Sequence, residues 1–286
     1  MSENLNLRVR IAFEKYGKIR FTSHRDVARI WERTLRRASL PVAYSEGFSP
    51  RPKLSFGLAL STGHESDAEY LDVELDSDRV DEDFDPEALV ADLTERLPVG
   101  MSVTAVALSD RSPTSLQQAV TSCTWQIDVV DVDADTVAEA VARALAAENL
   151  IVTRERKGKE VTDDLRPLVL SLDVKGPIEA HNADSVIGVR LLAELGTQPR
   201  AVRVSELLAT LDPPLTERRV VRLHQWIQND DTDERSDPLS AAVSPAPAGG
   251  DMSAHCCVPR TKENNHGRSG REPDTSVRSR SGFTTS

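Results

Sequence analysis

The sequence predicts an α+β protein made of two similar halves followed by a tail that joins neither. Three observations predict it. Leu5, Leu7, Val9, Ile11 and Phe13 alternate with polar or small residues, as do Leu71, Val73 and Leu75. That is the period of a strand with one buried face. Between and after these strands the chain reads strand, helix, two strands, helix, strand, and residues 125–223 run through much the same order with one strand added. From about Asn229 the composition turns acidic, then rich in Pro, Ala and Gly, then rich in Ser, Arg and Gly. Such a segment cannot bury enough apolar surface to fold alone. The repeated order fits a split βαβ, or ferredoxin-like, arrangement with two helices on one face of an antiparallel sheet. The expected organisation is therefore a first half at 1–110, a linker at 111–122, a second half at 123–228 and a disordered tail at 229–286.

In the first half, Tyr16-Gly17-Lys18 reads as a turn and Ile19 to Phe21 as a short extended piece. Ser23 caps a helix to Ala38, with Asp26 three residues on, where a carboxylate reaches back to the cap. At about 100° per residue, Val27, Ile30, Trp31, Thr34, Leu35 and Ala38 share one side, and Arg25, Arg29, Arg33, Arg36 and Arg37 the other. Pro41 to Tyr44 and Leu54 to Leu60 read as extended. Between them Pro50 and Pro52 forbid helix and stiffen the backbone around Arg51. Asp85-Pro86 opens a second helix that Pro98-Val99-Gly100 stops, and Met101 to Leu108 closes the sheet. Arg8 and Arg10 should meet Asp72 and Glu74 across neighbouring strands on the outward face.

Residues 109–122 are small, polar and interrupted by proline. Then Trp125, Ile127 and Val129 alternate as a strand, and Asp133 or Asp135 caps an alanine-rich helix to Ala147. Leu150 to Arg154, Leu168 to Val174, Ile187 to Leu192 and Arg218 to Leu223 read as strands, with a basic turn at 156–159 and a short helix from Val204 to Leu211.

The net charge of −11 over 286 residues hides an asymmetry. Residues 1–53 hold 12 Lys and Arg against 5 Asp and Glu, whereas residues 54–100 hold 2 against 14. A basic segment suits phosphates, and the acidic one suits water or a basic partner. No apolar run approaches the roughly 18 residues of a membrane span, and MSENLNLRVR has no apolar signal region. Three cysteines make no disulfide framework, so the expectation is a cytoplasmic protein without membrane contact.

The sequence offers no CxxC or HExxH, and neither GxxxxGK[ST] nor GxGxxG, so no metal or cofactor is expected. It carries no signal specific for DNA. The strongest candidate surface is the arginine side of the first helix with the loop that follows: Arg25, Arg29, Arg33, Arg36, Arg51 and Lys53 as phosphate contacts. Ser23, His24, Tyr44, Gly47, Phe48 and Ser49 are expected to line the same site. His24 is the one candidate for general acid–base work on RNA, with Tyr16, Tyr44, Arg51 and Lys53 as its helpers.

Ser23-His24-Arg25-Asp26, the run from Tyr44 to Lys53 (YSEGFSPRPK) and Glu69-Tyr70-Leu71 together resemble the radical-SAM-linked family, a bacterial domain of unknown function. Asp164-Leu165-Arg166-Pro167 and Gln198-Pro199-Arg200 look like its second-half motifs, and Ser49 stands where the family often has Asn. The resemblance spans roughly residues 5 to 225. It implies a companion of a radical SAM protein, the domain occurring fused to such an enzyme or as a separate chain. This chain lacks the CxxxCxxC that holds the enzyme's cluster. The tandem pattern also looks like the folds of CRISPR repeat endonucleases, by analogy of fold alone. The expected function is a non-catalytic RNA-binding or substrate-presenting accessory protein. Two alternatives stay open: a metal-independent endoribonuclease using His24, and a protein-docking module without RNA.

Overall fold

The computed structural model of the chain describes residues 7–81, 83–109, 114–178, 188–228 and 234–242. Strand β1 (Arg8–Lys15) buries Val9, Ile11 and Phe13 on one face. Helix α1 (His24–Arg37) starts where the Ser23 hydroxyl oxygen accepts the Asp26 amide at 3.2 Å and its O–H donates to the Asp26 carboxylate at 2.7 Å. Val27, Trp31, Thr34 and Leu35 are its buried residues, and Trp31 meets Phe13 edge-on with ring centres 4.9 Å apart. The half continues through β2 (Leu54–Phe56), β3 (Glu65–Glu74), α2 (Ala88–Arg96) and β4 (Met101–Leu108). A short helix α3 (Leu116–Ala119) lies within the expected linker, whose residues 111–113 fall outside the described ones.

The second half comprises β5 (Ser122–Val130), α4 (Ala134–Ala146), β6 (Ile151–Arg156), β7 (Lys159–Asp164), β8 (Val169–Pro177), β9 (Gly188–Gly196), α5 (Val204–Thr210) and β10 (Thr216–Gln228). Asp133 caps α4, accepting the Thr136 amide at 2.9 Å. The fold is mixed α and β, with one large, mostly antiparallel sheet in the order β4-β1-β3-β10-β5-β9-β8. Strand β2 lies beside β3, and β11 (Arg235–Ser236) beside β10.

The two halves are thus joined rather than tethered. Strand β3 is antiparallel to β1 and β2 but parallel to β10, through Val221↔Glu65 and Arg222↔Ser66. Strands β2 and β10 occupy the same edge of β3 end to end, since β2 pairs with Leu71 to Val73. Two apolar clusters follow. One packs α1 and α2 on the Val9, Ile11, Phe13 face; the other packs α4 and α5 against β5, β9 and β10 and also takes in Ala12, Ala68 and Tyr70.

Four details depart from the sequence reading. Leu54 to Leu60 is a strand only as far as Phe56. Gly57 is buried, with Leu116 3.3 Å from where a side chain would begin, and beyond it the chain leaves the sheet. Ile19 to Phe21 lies in a 3-10 turn instead of an extended piece. The basic turn at Lys157 and Gly158, both at positive φ, closes a separate hairpin of β6 and β7; such turns favour residues that tolerate positive φ. Strand β7 (KEVTDD) has no apolar alternation because it buries no face.

The fourth concerns the outward face of β1 and β3. Arg10 and Asp72 pair at 2.6 Å and Arg8 and Glu74 at 3.5 Å, as the register requires. Yet Arg10 and Asp72 are buried, because Arg10 also donates to the Pro238 carbonyl at 2.7 Å. Residues 234–242, inside the expected tail, pack here, with Leu239 against the second cluster and Ala242 buried. The rest of the tail expectation, 243–286 with 229–233, lies outside the described residues. Among the described residues no helix is long and apolar enough to cross a membrane.

Candidate functional site

Helix α1 sorts its side chains by angle. His24, Val27, Trp31 and Leu35 recur every three or four residues and so share the face turned to the sheet. Arg25, Arg29, Arg33 and Arg36 lie on the exposed side. Arg29 pairs with Asp26 at 3.0 Å in water, and Arg37 donates to the Arg96 carbonyl. The side chains of Arg33 and Arg36 have no ion pair or hydrogen bond among the described residues.

The proline loop is a small hairpin. Ser45 N–H bonds the Arg51 carbonyl and Lys53 N–H the Ala43 carbonyl, each at 2.8 Å, and the Ser45 hydroxyl oxygen accepts the Arg51 amide at 3.0 Å. Its tip, from Glu46 to Arg51, is exposed, with Gly47 at φ 117° and Phe48 fully in water. Tyr44 bridges Pro52 through the backbone, and Lys53 pairs with Glu74 at 3.4 Å.

The expected lining residues do not gather around His24. A cleft of about 530 Å³ opens beside it, walled by residues 58–62 on one side and by Gly196, Thr197 and residues 201–204 on the other. Cys123, Trp125, Arg222 and His64 line it as well. Of the residues singled out from the sequence, only His24 lines it. Ser23 serves as the α1 cap; Tyr44, Gly47, Phe48, Ser49 and the six cations line other surfaces. The reason is helical geometry: His24 projects toward the sheet, and the arginines project away from it. His24 contacts Phe56 edge-on at 5.2 Å. Tyr16 donates to Asp67, so it too is held elsewhere than beside His24.

The cleft's polar groups are unusually buried. Arg222 is 1% exposed, stacks over Trp125 with 5.6 Å to the ring centre, and donates through Nη2 to the Leu58 carbonyl at 2.9 Å and to Glu69. Its Nε has no partner. His64 is 7% exposed; its Nε2 faces the Glu217 carboxylate at 3.1 Å, while Nδ1 has no partner. Lys15, 3% exposed, lines a narrow recess that shares His24, Leu58 and Leu60 with the cleft, together with Glu69. Burial lowers the Lys15 pKa and the Arg222 charge lowers it further, against the opposing pull of Glu69.

Burial pushes the Cys123 thiol up to about 11, which leaves it protonated and unreactive at neutral pH. Nearby, burial raises the Glu65 carboxyl, but the Gly17 N–H and the Arg219 and Arg20 guanidiniums outweigh it and hold it below the usual range. No group of His, Cys, Asp and Glu among the described residues is arranged to hold a metal ion. His64, Trp125 and Arg222 carried no motif in the sequence. The available hint was an arginine after Val220 and Val221 at an inward strand position.

No curated protein matches the chain. A family model described as an uncharacterized protein conserved in bacteria (DUF2344) matches residues 8–202 of the 286. The chain belongs to that bacterial family.

Proposed function

We propose that the chain is a non-catalytic, cytoplasmic RNA-binding or substrate-presenting subunit that works with a separate radical SAM enzyme. The observation that carries the RNA part is the exposed side of α1: four arginines over three turns, two of them without any partner, on a helix anchored by Trp31 and Leu35. Cations fixed on a rigid element and left in water are available to neutralise phosphates. The exposed hairpin tip adds Arg51 and Phe48, an anion contact and a ring that a base can stack upon. The radical SAM partner rests on the resemblance carried by Ser23 to Asp26, Tyr44 to Lys53 and Glu69 to Leu71. We read the two halves as ferredoxin-like copies. What supports this is the matching order of strands, β4-β1-β3-β2 in one and β10-β5-β9-β8 in the other.

The test is a filter-binding titration with total cellular RNA at several salt concentrations. Binding should weaken steeply with salt, and Arg29→Glu with Arg33→Glu should reduce it at least tenfold. Unchanged RNA binding in the double variant would sink the reading. If a radical SAM protein co-purifies without RNA after nuclease treatment, the docking alternative takes its place. A second reading has one observation in its favour, the position of His24 at the cleft. It predicts discrete RNA cleavage in the presence of EDTA that His24→Ala abolishes.

A further inference from the structure

The geometry points to the cleft between the halves as a binding site for a nucleoside monophosphate unit, separate from the arginine side of α1. Lys15 and Arg222 share a single carboxylate, Glu69, and both cations are almost wholly buried. An unbalanced cation away from water is costly unless an anion meets it. No Asp or Glu lines the cleft itself among the described residues, whereas Arg203, Arg222, His24 and His64 do. Guanidiniums from β10 and from the segment before α5 therefore converge on one space with imidazoles from the start of α1 and the segment before β3.

Buried polar groups in folded proteins almost always have partners. Arg222 Nε and His64 Nδ1 are buried and have none, and both residues line this cleft. With Nε2–H of His64 donating to Glu217, its Nδ1 offers a lone pair when the ring is neutral. Both residues line the cleft, so a ligand seated closely against them can supply the missing acceptor and donor beside the positive charge of Arg222 and Arg203. A base edge carries that complementary pairing, and a phosphate monoester the charge.

About 530 Å³ falls within the usual range of small-molecule sites, roughly 300–1,000 Å³. Leu58, Leu60, Leu195 and Val202 supply apolar walls for a ring and sugar that inorganic phosphate lacks.

The test is isothermal titration of AMP and UMP into the full chain, beside adenosine, uridine and inorganic phosphate. A monophosphate should bind at least tenfold tighter than its nucleoside and than inorganic phosphate. Lys15→Met and Arg203→Ala should each weaken it about tenfold, with melting curves showing both variants folded. Absence of saturable monophosphate binding, affinity equal to that of the nucleoside, or full affinity in both folded variants would overturn the assignment. Arg29→Glu with Arg33→Glu should leave monophosphate binding unchanged. Loss of RNA binding in that variant then reports on α1 alone, and the two readings can fail separately. Competition by a short RNA would mark the occupant as a nucleotide of bound RNA; lack of competition would mark it as free mononucleotide.

Discussion

Arg33 on α1 and Arg222 on β10 are the same side chain in opposite circumstances. Arg33 is exposed without a partner, and Arg222 is 1% exposed between Glu69, the Leu58 carbonyl and the Trp125 ring. A cation in water costs the fold almost nothing and stays free for a ligand. A buried one must be satisfied by the protein, and here its partners come from β3, from the segment after β2 and from β5. The difference teaches that charge on α1 can change with function while charge between the halves is part of what joins them.

The sharpest way to break the comparison is Arg222→Met. Removing one member of a buried pair strands the other, so urea denaturation should show a loss of about 3 kcal/mol. Adding Glu69→Gln should recover part of that loss. Next comes Glu65, whose carboxylate is 4% exposed and bonded to the Gly17 amide and to Arg20 and Arg219. Its folded pKa lies below the usual value near 4.5. Its contribution is therefore present above that pH and is lost as pH falls below it. Glu65→Gln should cost about 2 kcal/mol at pH 7 and flatten the acid limb of a stability–pH curve.

Lys15→Met works in the other direction. Because folding lowers the Lys15 pKa from 10.5, its penalty is full at neutral pH and fades as pH rises toward that value. The variant should gain about 1 kcal/mol at pH 7, and thermal melts should show the gain shrinking in alkali. The smallest effect belongs to α1: Arg33→Ala with Arg36→Ala should change stability by less than about 0.5 kcal/mol. A larger loss would show that the arginine side is a structural surface.

Much of the fold was legible because it depends on local pattern. Alternation in β1 and β3, the Ser23 and Asp133 caps and the helical stripe of Val27, Trp31 and Leu35 are each written within a few residues of one another. Strand β7 was not legible, since none of its residues is buried and no period marks a face. The packing of residues 234–242 was likewise hidden. Their composition is mostly polar, and the contacts that draw them onto the sheet are all distant in sequence: the Pro238 carbonyl with Arg10, 228 positions away, and Arg235 with Glu194.

The site divides along the same line. His24 stood out for its place in the first turn, but the arginines that follow it were expected around the same site. The 100° step of the helix sends them to opposite sides. The cleft residues lacked any sequence signal, for Arg222 meets Glu69 across 153 positions and looks by itself like any strand arginine.

The sequence alone determined the α+β class, the cap and stripe of α1 and its row of arginines, because these follow from spacing within one element. Only the tertiary structure decided that the halves share one sheet through the parallel β3–β10 pair. It also decided that His24, His64, Trp125 and Arg222 meet around one cleft. Burial and charge pairing depend on which distant strands come to lie side by side, and no local spacing encodes that.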